Sequence, residues 1–207
     1  MASRAGELYE NPVTGERGLI IAGDDDNPDA GIAVELTVAP GGAVVGEHVH
    51  SYIHETFEVL DGEVGFSLDG EESVGGPGTR VEIPVGARHD WWNAGDEKAR
   101  VLVTVKPLGR FDLMIKTLFG LARDGKTNSK GMPNLLQLAV FAQEFRPEAE
   151  FTKPPPAVQK VLFALLSPIA KARGYRATYP EYDAPHGHVE VPDDLRGVAL
   201  QEAPPAA

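Results

Sequence analysis

From about Arg17 to Pro107 the chain runs in short β-branched and aromatic stretches broken by Gly, Pro, Asp and Asn. The stretches read as strands: Leu19–Ala22, Ile32–Val38, Glu47–His50, Glu55–Leu60, Val64–Leu68, Val81–Pro84, Asp90–Asn93 and Val101–Lys106. The breaks between them carry turn chemistry at Asp24-Asp25-Asp26-Asn27-Pro28, Pro40-Gly41-Gly42, Asp61-Gly62, Asp69-Gly70 and Gly75-Gly76-Pro77-Gly78. Many short, evenly spaced strands predict an antiparallel sandwich or small barrel. Asp61-Gly62, flanked by apolar runs, predicts a hairpin.

Past Gly109 the period changes. Phe111, Met114, Ile115, Leu118 and Ala122 recur at helical spacing, and Gly125 is placed to stop that helix. A second helix is expected from Pro133 to about Phe145, since proline suits a first helical position. After the linker Pro154-Pro155-Pro156 a third is expected from Ala157 to about Arg173, kinked by Pro168. These helices must bury Leu118, Phe119, Phe141, Phe163 and their neighbours. They can cover the outer face of the barrel, lid its mouth or build a dimer interface. Beyond Pro180 the chain is rich in Pro, Ala, Asp and Glu and is expected to be extended or disordered. The expected organisation is a β domain over 17–107, a helical extension over 108–179 packed on the barrel or at a dimer interface, and a Pro/acid-rich tail over 180–207.

Composition narrows the partners. A net charge of -12 with no basic cluster argues against nucleic acid and anionic membrane surfaces. The longest apolar run, Val161–Leu166, is too short to span a bilayer. With no cysteine there is neither a disulfide framework nor thiolate ligation. No apolar leader is visible in residues 1–18, so a cytoplasmic location is expected. At 207 residues the chain is long enough for one well-buried core, and a homodimer is the expected assembly.

The chemistry lies in two segments of the β half. His48, His50 and Glu55 come from one and His89 from the other, at spacings that suit a single metal. His48 and His50, two apart on a strand, share a face. Phe57 and Val59 share a face with Glu55, and Trp91 with His89, so these three are the candidate substrate wall. Trp92 is expected to point the other way, beneath the helices. His54 reads as an exposed loop residue, with a base beside the ligands as the alternative. Asn93 and the glycines Gly62, Gly78 and Gly86 read as structural. Lys106 and Arg110 read as solvated surface, and His186 and His188, in the tail, as exposed histidines that imitate a ligand pair.

The two segments resemble the paired motifs of the cupin superfamily. Gly42, His48, His50, Glu55 and Gly62 match the first at every fixed position, and Gly78, Pro84, Gly86, His89 and Asn93 match the second, with 15 residues between them. The resemblance covers roughly residues 30–107, and the whole chain is similar to bacterial cupin-domain proteins with a helical C-terminal extension. It implies a mainly β fold, a double-stranded β-helix, with one divalent metal (Fe, Mn, Ni, Cu or Zn) held by His48, His50, Glu55 and His89. Ligand type alone does not choose among those metals. A redox metal implies oxygen-dependent oxidation, dioxygenase-like, of a partly apolar or aromatic small molecule. A Lewis acid implies an isomerase, cyclase or lyase. A non-catalytic metal- or small-molecule-binding protein is the third reading. The reaction and the catalytic residues beyond the ligands are left open, because one fold hosts many activities.

Overall fold

The computed structural model describes residues 4–23, 27–42, 46–198 and 200. Its strands are β1 Glu7–Asn11, β2 Glu16–Gly23, β3 Ile32–Val38, β4 His48–Val49, β5 His54–Asp61, β6 Val64–Leu68, β7 Glu71–Gly75, β8 Arg80–Ile83, β9 His89–Asn93, β10 Ala99–Lys106, β11 Glu150–Phe151 and β12 Gly187–His188. Three helices follow the main run of strands: α1 Phe111–Arg123, α2 Leu135–Glu144 and α3 Pro156–Ala172. The strands form two antiparallel sheets, ordered β12-β1-β2-β3-β10-β5-β8 and β11-β4-β9-β6-β7. This is a mainly β fold carrying C-terminal helices, as the sequence pattern predicts.

Period-two patterning builds the core. In β5, Glu55, Phe57 and Val59 are buried while the residues between them are not. Phe57 lies opposite Val103 of β10, which lies opposite Val34 of β3, so one apolar row crosses three strands. Burying each such side chain contributes roughly 1.5–3 kcal/mol. Phe111 of α1 packs against this core, and Leu118, Phe119, Phe141 and Phe145 of the α1–α2 region are part of it.

Several expectations are corrected. Asp61-Gly62 does not close a hairpin: β5 pairs with β10 and β8, whereas β6 pairs with β7 and β9. The turn carries the chain from one sheet to the other, a role that a local dipeptide cannot distinguish from a hairpin. The two-residue hairpin is Asp69-Gly70, where both residues have positive φ, 51° and 90°, and β7 comes next. α2 starts at Leu135, not Pro133, because the Asn134 side chain accepts the backbone N–H groups of Leu136 and Gln137 and caps the helix. The turn expected at Asp24-Asp25-Asp26 lies outside the described residues.

The tail is ordered as far as it is described. β12 pairs with β1, and Leu195 joins Leu8, Leu19, Ile21, Ala33 and Leu102 in a second core on the outer face of the larger sheet. Proline and acidic residues marked this segment as polar, but the outer face of β2 and β10 is apolar and needs a cover.

Candidate metal centre

Both sheets deliver ligands. Alternation along β5 turns Glu55 inward and leaves the partly exposed His54 on the other face. On the facing sheet His48 of β4 and His89 of β9 are direct partners in register, which sets their side chains next to each other. His50 lies one residue beyond β4, and its carbonyl accepts the Gly86 N–H at 2.9 Å, tying the ligand segment to the loop before His89. One ligand atom from each of His48, His50, Glu55 and His89 lies within 4.8 Å of all the others, and all four residues are buried.

Backbone carbonyls fix the imidazoles. Nδ1 of His48 faces the Gly46 oxygen at 2.8 Å, Nδ1 of His89 faces the Ala87 oxygen at 3.2 Å, and Nδ1 of His50 contacts the Glu148 oxygen. A carbonyl only accepts, so each Nδ1 carries the hydrogen and each Nε2 is left to present its lone pair to the centre. Nε2 of His50 and of His89 both face the same Glu55 oxygen, at 3.2 and 3.1 Å. Lone pairs aimed at a carboxylate repel unless a positive charge lies between them, which a proton or a metal supplies. Although His50 Nε2 is close to Glu55, its angles are not those of a hydrogen bond, and it is left without a partner. A buried nitrogen in that state suits a cation. The donor set, three imidazoles and one carboxylate, fits a divalent transition metal with coordination positions to spare.

The electrostatics agree. Burial, then the neighbouring His89 and His50, push His48 down to about 3, leaving it in the neutral form that binds metal. For Glu55 burial works toward the protonated acid, but the charges of His50 and His89 and the close approach of their Nε2 atoms together outweigh it and hold the carboxyl well below its usual range. For His50 burial opposes charging, yet the Glu55 carboxylate and the Glu148 carbonyl raise its pKa.

His48 and Glu55 open onto an apolar cavity of about 130 Å³. Phe57 and Trp91 line it near the ligands, with ring centroids 5.6 Å apart. Val59 is buried in the core and is not among the lining residues. Trp92 lies on the opposite face of β9, over Gly65, where any β-carbon would collide with its indole. α1 and α2 supply Phe111, Met114 and Phe141, and Phe145 follows directly after α2, so the helices wall the cavity themselves. Its polar lining includes Lys116, ion-paired with Asp112 at 3.1 Å, and Glu16.

Sequence reasoning missed the segment between α2 and α3. The Glu148 carbonyl that holds His50 lies there, and Phe151 of β11 pairs in register with His48. Glu148 is itself buried, takes the Tyr52 hydroxyl on Oε1 at 3.1 Å, and has no partner for Oε2 among the described residues. A backbone carbonyl leaves no mark in a sequence, and an apolar helical stripe says only that a face is buried. Arg110 pairs with Glu144 at 2.8 Å and caps the Phe145 ring. His186 Nδ1 accepts the Glu10 N–H at 2.9 Å, a structural contact on β1. Among the described residues the only metal-competent cluster is that of His48, His50, Glu55 and His89.

Two antiparallel sheets enclosing a three-histidine, one-glutamate pocket define a β-barrel metal-binding domain. Residues 34–105 match the family model of the Cupin domain. It is similar to the polyketide synthase CurC of Streptomyces cyaneus, with 34% identity over 73 residues, which are 35% of this chain and 47% of the relative. The match thus spans about half the length of that relative. Among solved structures, a predicted oxalate decarboxylase from Thermotoga maritima is 19% identical, covering 51% of this chain and 98% of its own, with a TM-score of 0.43. An RmlC-like cupin from Shewanella frigidimarina is 18% identical over 51% of this chain and 88% of its own, also with a TM-score of 0.43. Among the described residues no helix is long and apolar enough to cross a membrane.

Proposed function

We propose that the protein is a metal-dependent enzyme that uses dioxygen to oxidise a partly apolar or aromatic small molecule. The observation that carries this reading is the shared cavity: ligands His48 and Glu55 open onto the same space as Phe57, Trp91, Phe111 and Phe145. A redox metal held by His48, His50, Glu55 and His89 would supply one-electron chemistry with dioxygen. The chain's own residues do the rest. The aromatic wall holds a flat, apolar substrate and excludes water, and the carbonyls of Gly46, Ala87 and Glu148 hold the imidazoles in one tautomer. The name of the curated relative ties it to polyketide synthesis, a chemistry whose products are oxygen-bearing carbon chains and rings, and such molecules suit this cavity.

The test is oxygen consumption by the iron-, manganese-, nickel- and copper-loaded protein against a panel of phenols, naphthols and quinols. Turnover beyond one equivalent supports the oxidative reading. Conversion without oxygen uptake, with zinc equally effective, would replace it with a Lewis-acid isomerase, cyclase or lyase. Stoichiometric saturation without turnover would make the protein a binder.

A homodimer formed through α3 belongs to the same reading. Val158, Val161, Leu165 and Ile169 make one apolar stripe with 52%, 62%, 67% and 48% exposure. α3 carries no acidic residue, in a chain that has 31, so two copies can approach there with little repulsion. Sedimentation should give a dimer that Leu165→Glu converts to monomer; a monomeric wild type would refute it.

A further inference from the structure

The cavity has a second polar end, and the metal site does not use it. At the β1–β2 hairpin Asn11 and Glu16 are direct partners in register. Both line the cavity together with Tyr9, Thr14 and Gly131, and Glu16 is only 6% exposed. The Glu55 level of the larger sheet crosses β10 at Val105 and β3 at Ile32. Glu16 precedes Arg17, which pairs with Thr37, so it sits near the level of Val38, at the far end of β3. At about 3.3 Å per residue, the two ends lie roughly 20 Å apart along the strand direction. Between them the lining from Ile20, Val34, Leu36 and Phe57 is apolar.

Glu16 is poorly compensated for a buried carboxyl. Among the described residues its hydrogen bond is the one from the Thr14 hydroxyl, at 2.6 Å. Asn11 spends its side-chain oxygen on the backbone N–H groups of Val13 and Thr14, at 3.0 and 3.3 Å. One neutral hydroxyl offsets little of the desolvation of a carboxylate, which is why buried acids are ordinarily paired. A turn needs no such group, since Asn11 already shapes it. The Gly131 loop covers this end: a β-carbon at Gly131 would come within 2.9 Å of Thr14 Cγ2.

We infer that Glu16, seated on Thr14 beside Asn11, is a substrate-anchoring residue that accepts a hydrogen bond from a hydroxyl or amine at the distal end of an elongated apolar ligand. The ligand class is therefore a flat or extended hydrocarbon frame whose reacting end lies at the metal and whose far end carries a hydrogen-bond donor. The inference deepens the enzyme reading above and rests on it for the reacting end only.

The experiment uses three fluorescent probes on the full-length, metal-loaded protein at pH 8: 2-aminoanthracene, 2-methylanthracene and anthracene-2-carboxylate. Wild type should bind the amine about tenfold more tightly than the methyl compound, the size of one hydrogen bond to a charged acceptor. It should bind the carboxylate least. Glu16→Leu should abolish the preference for the amine, leave methylanthracene affinity within about twofold, and leave metal content unchanged. Should the leucine variant not fold, Glu16→Gln preserves shape and should lose most of the preference. An equal preference in the folded variants, or none in wild type, overturns the assignment. Metal content of His50→Ala, measured alongside, reports on the metal centre independently: if it is retained, the centre fails and the Glu16 result still stands.

Discussion

The two ends of the cavity are built by opposite means. At one, four ligands come from three strands and the segment after β4, and each imidazole is held from behind by a backbone carbonyl. Every group there has a partner that sets its state, apart from the His50 nitrogen that faces the centre. At the other, a single buried carboxyl rests on one hydroxyl, at the β1–β2 hairpin of the larger sheet. The first end is preorganised for a cation, with orientation set before the ion arrives. The second keeps an acceptor short of donors and so is set up for a ligand that brings one. Rigid positioning at the reacting end and an unfilled hydrogen bond at the remote end is how a cavity fixes both the place and the direction of an elongated molecule.

The wall between the ends is where the comparison is most easily broken. Phe57 is buried and touches both Phe66 and Trp91, with centroids 5.8 and 5.6 Å away. Phe57→Ala should destabilise the protein by about 3–5 kcal/mol in urea titrations, the range for a buried aromatic. A loss below about 1 kcal/mol would mean the wall is not the continuous core described. Glu16 gives the next effect. Burial, eased slightly by the Thr14 hydroxyl, raises its pKa from the ordinary 4.5 to about 7. Between those values the folded protein holds a proton that the unfolded chain has released, so stability falls as pH rises through the window, by up to about 3 kcal/mol, and levels off above it. Glu16→Gln should flatten that part of the pH–stability curve; an unchanged slope would place the titration elsewhere. Gly131→Ala is the smallest test. Its φ is +76° and its β-carbon would crowd Thr14, so a loss of about 1–2 kcal/mol is expected, with bound metal unaffected. A drop in metal content would show that the two ends are coupled.

The ligand end was legible in the sequence because its chemistry sits at fixed spacing in residue types that seldom cluster: His48, His50, Glu55 and His89, with glycines and Pro84 marking the turns. Period two along β5 also placed Phe57 inward. The Glu16 end was not legible. It depends on a pairing of β1 with β2 and on a loop more than a hundred residues later, and nothing local in Asn11 to Glu16 distinguishes a cavity floor from a surface turn. The carbonyl of Glu148 escaped for a related reason: the backbone has no sequence identity, and the pairing of β11 with β4 that brings it close is long-range. The turn at Asp61-Gly62 misled because a dipeptide encodes a change of direction, while the sheet that receives the next strand is decided by the packing of the whole barrel.

The central claim, a single metal held by His48, His50, Glu55 and His89, is tested most directly by elemental analysis of protein purified without oxygen, wild type beside His50→Ala. The account predicts about one equivalent of a divalent transition metal in wild type. It predicts loss of nearly all of it in the variant, with the β-sheet circular dichroism of the two proteins the same. Equal metal in both proteins, or none in wild type even after loading, would contradict it.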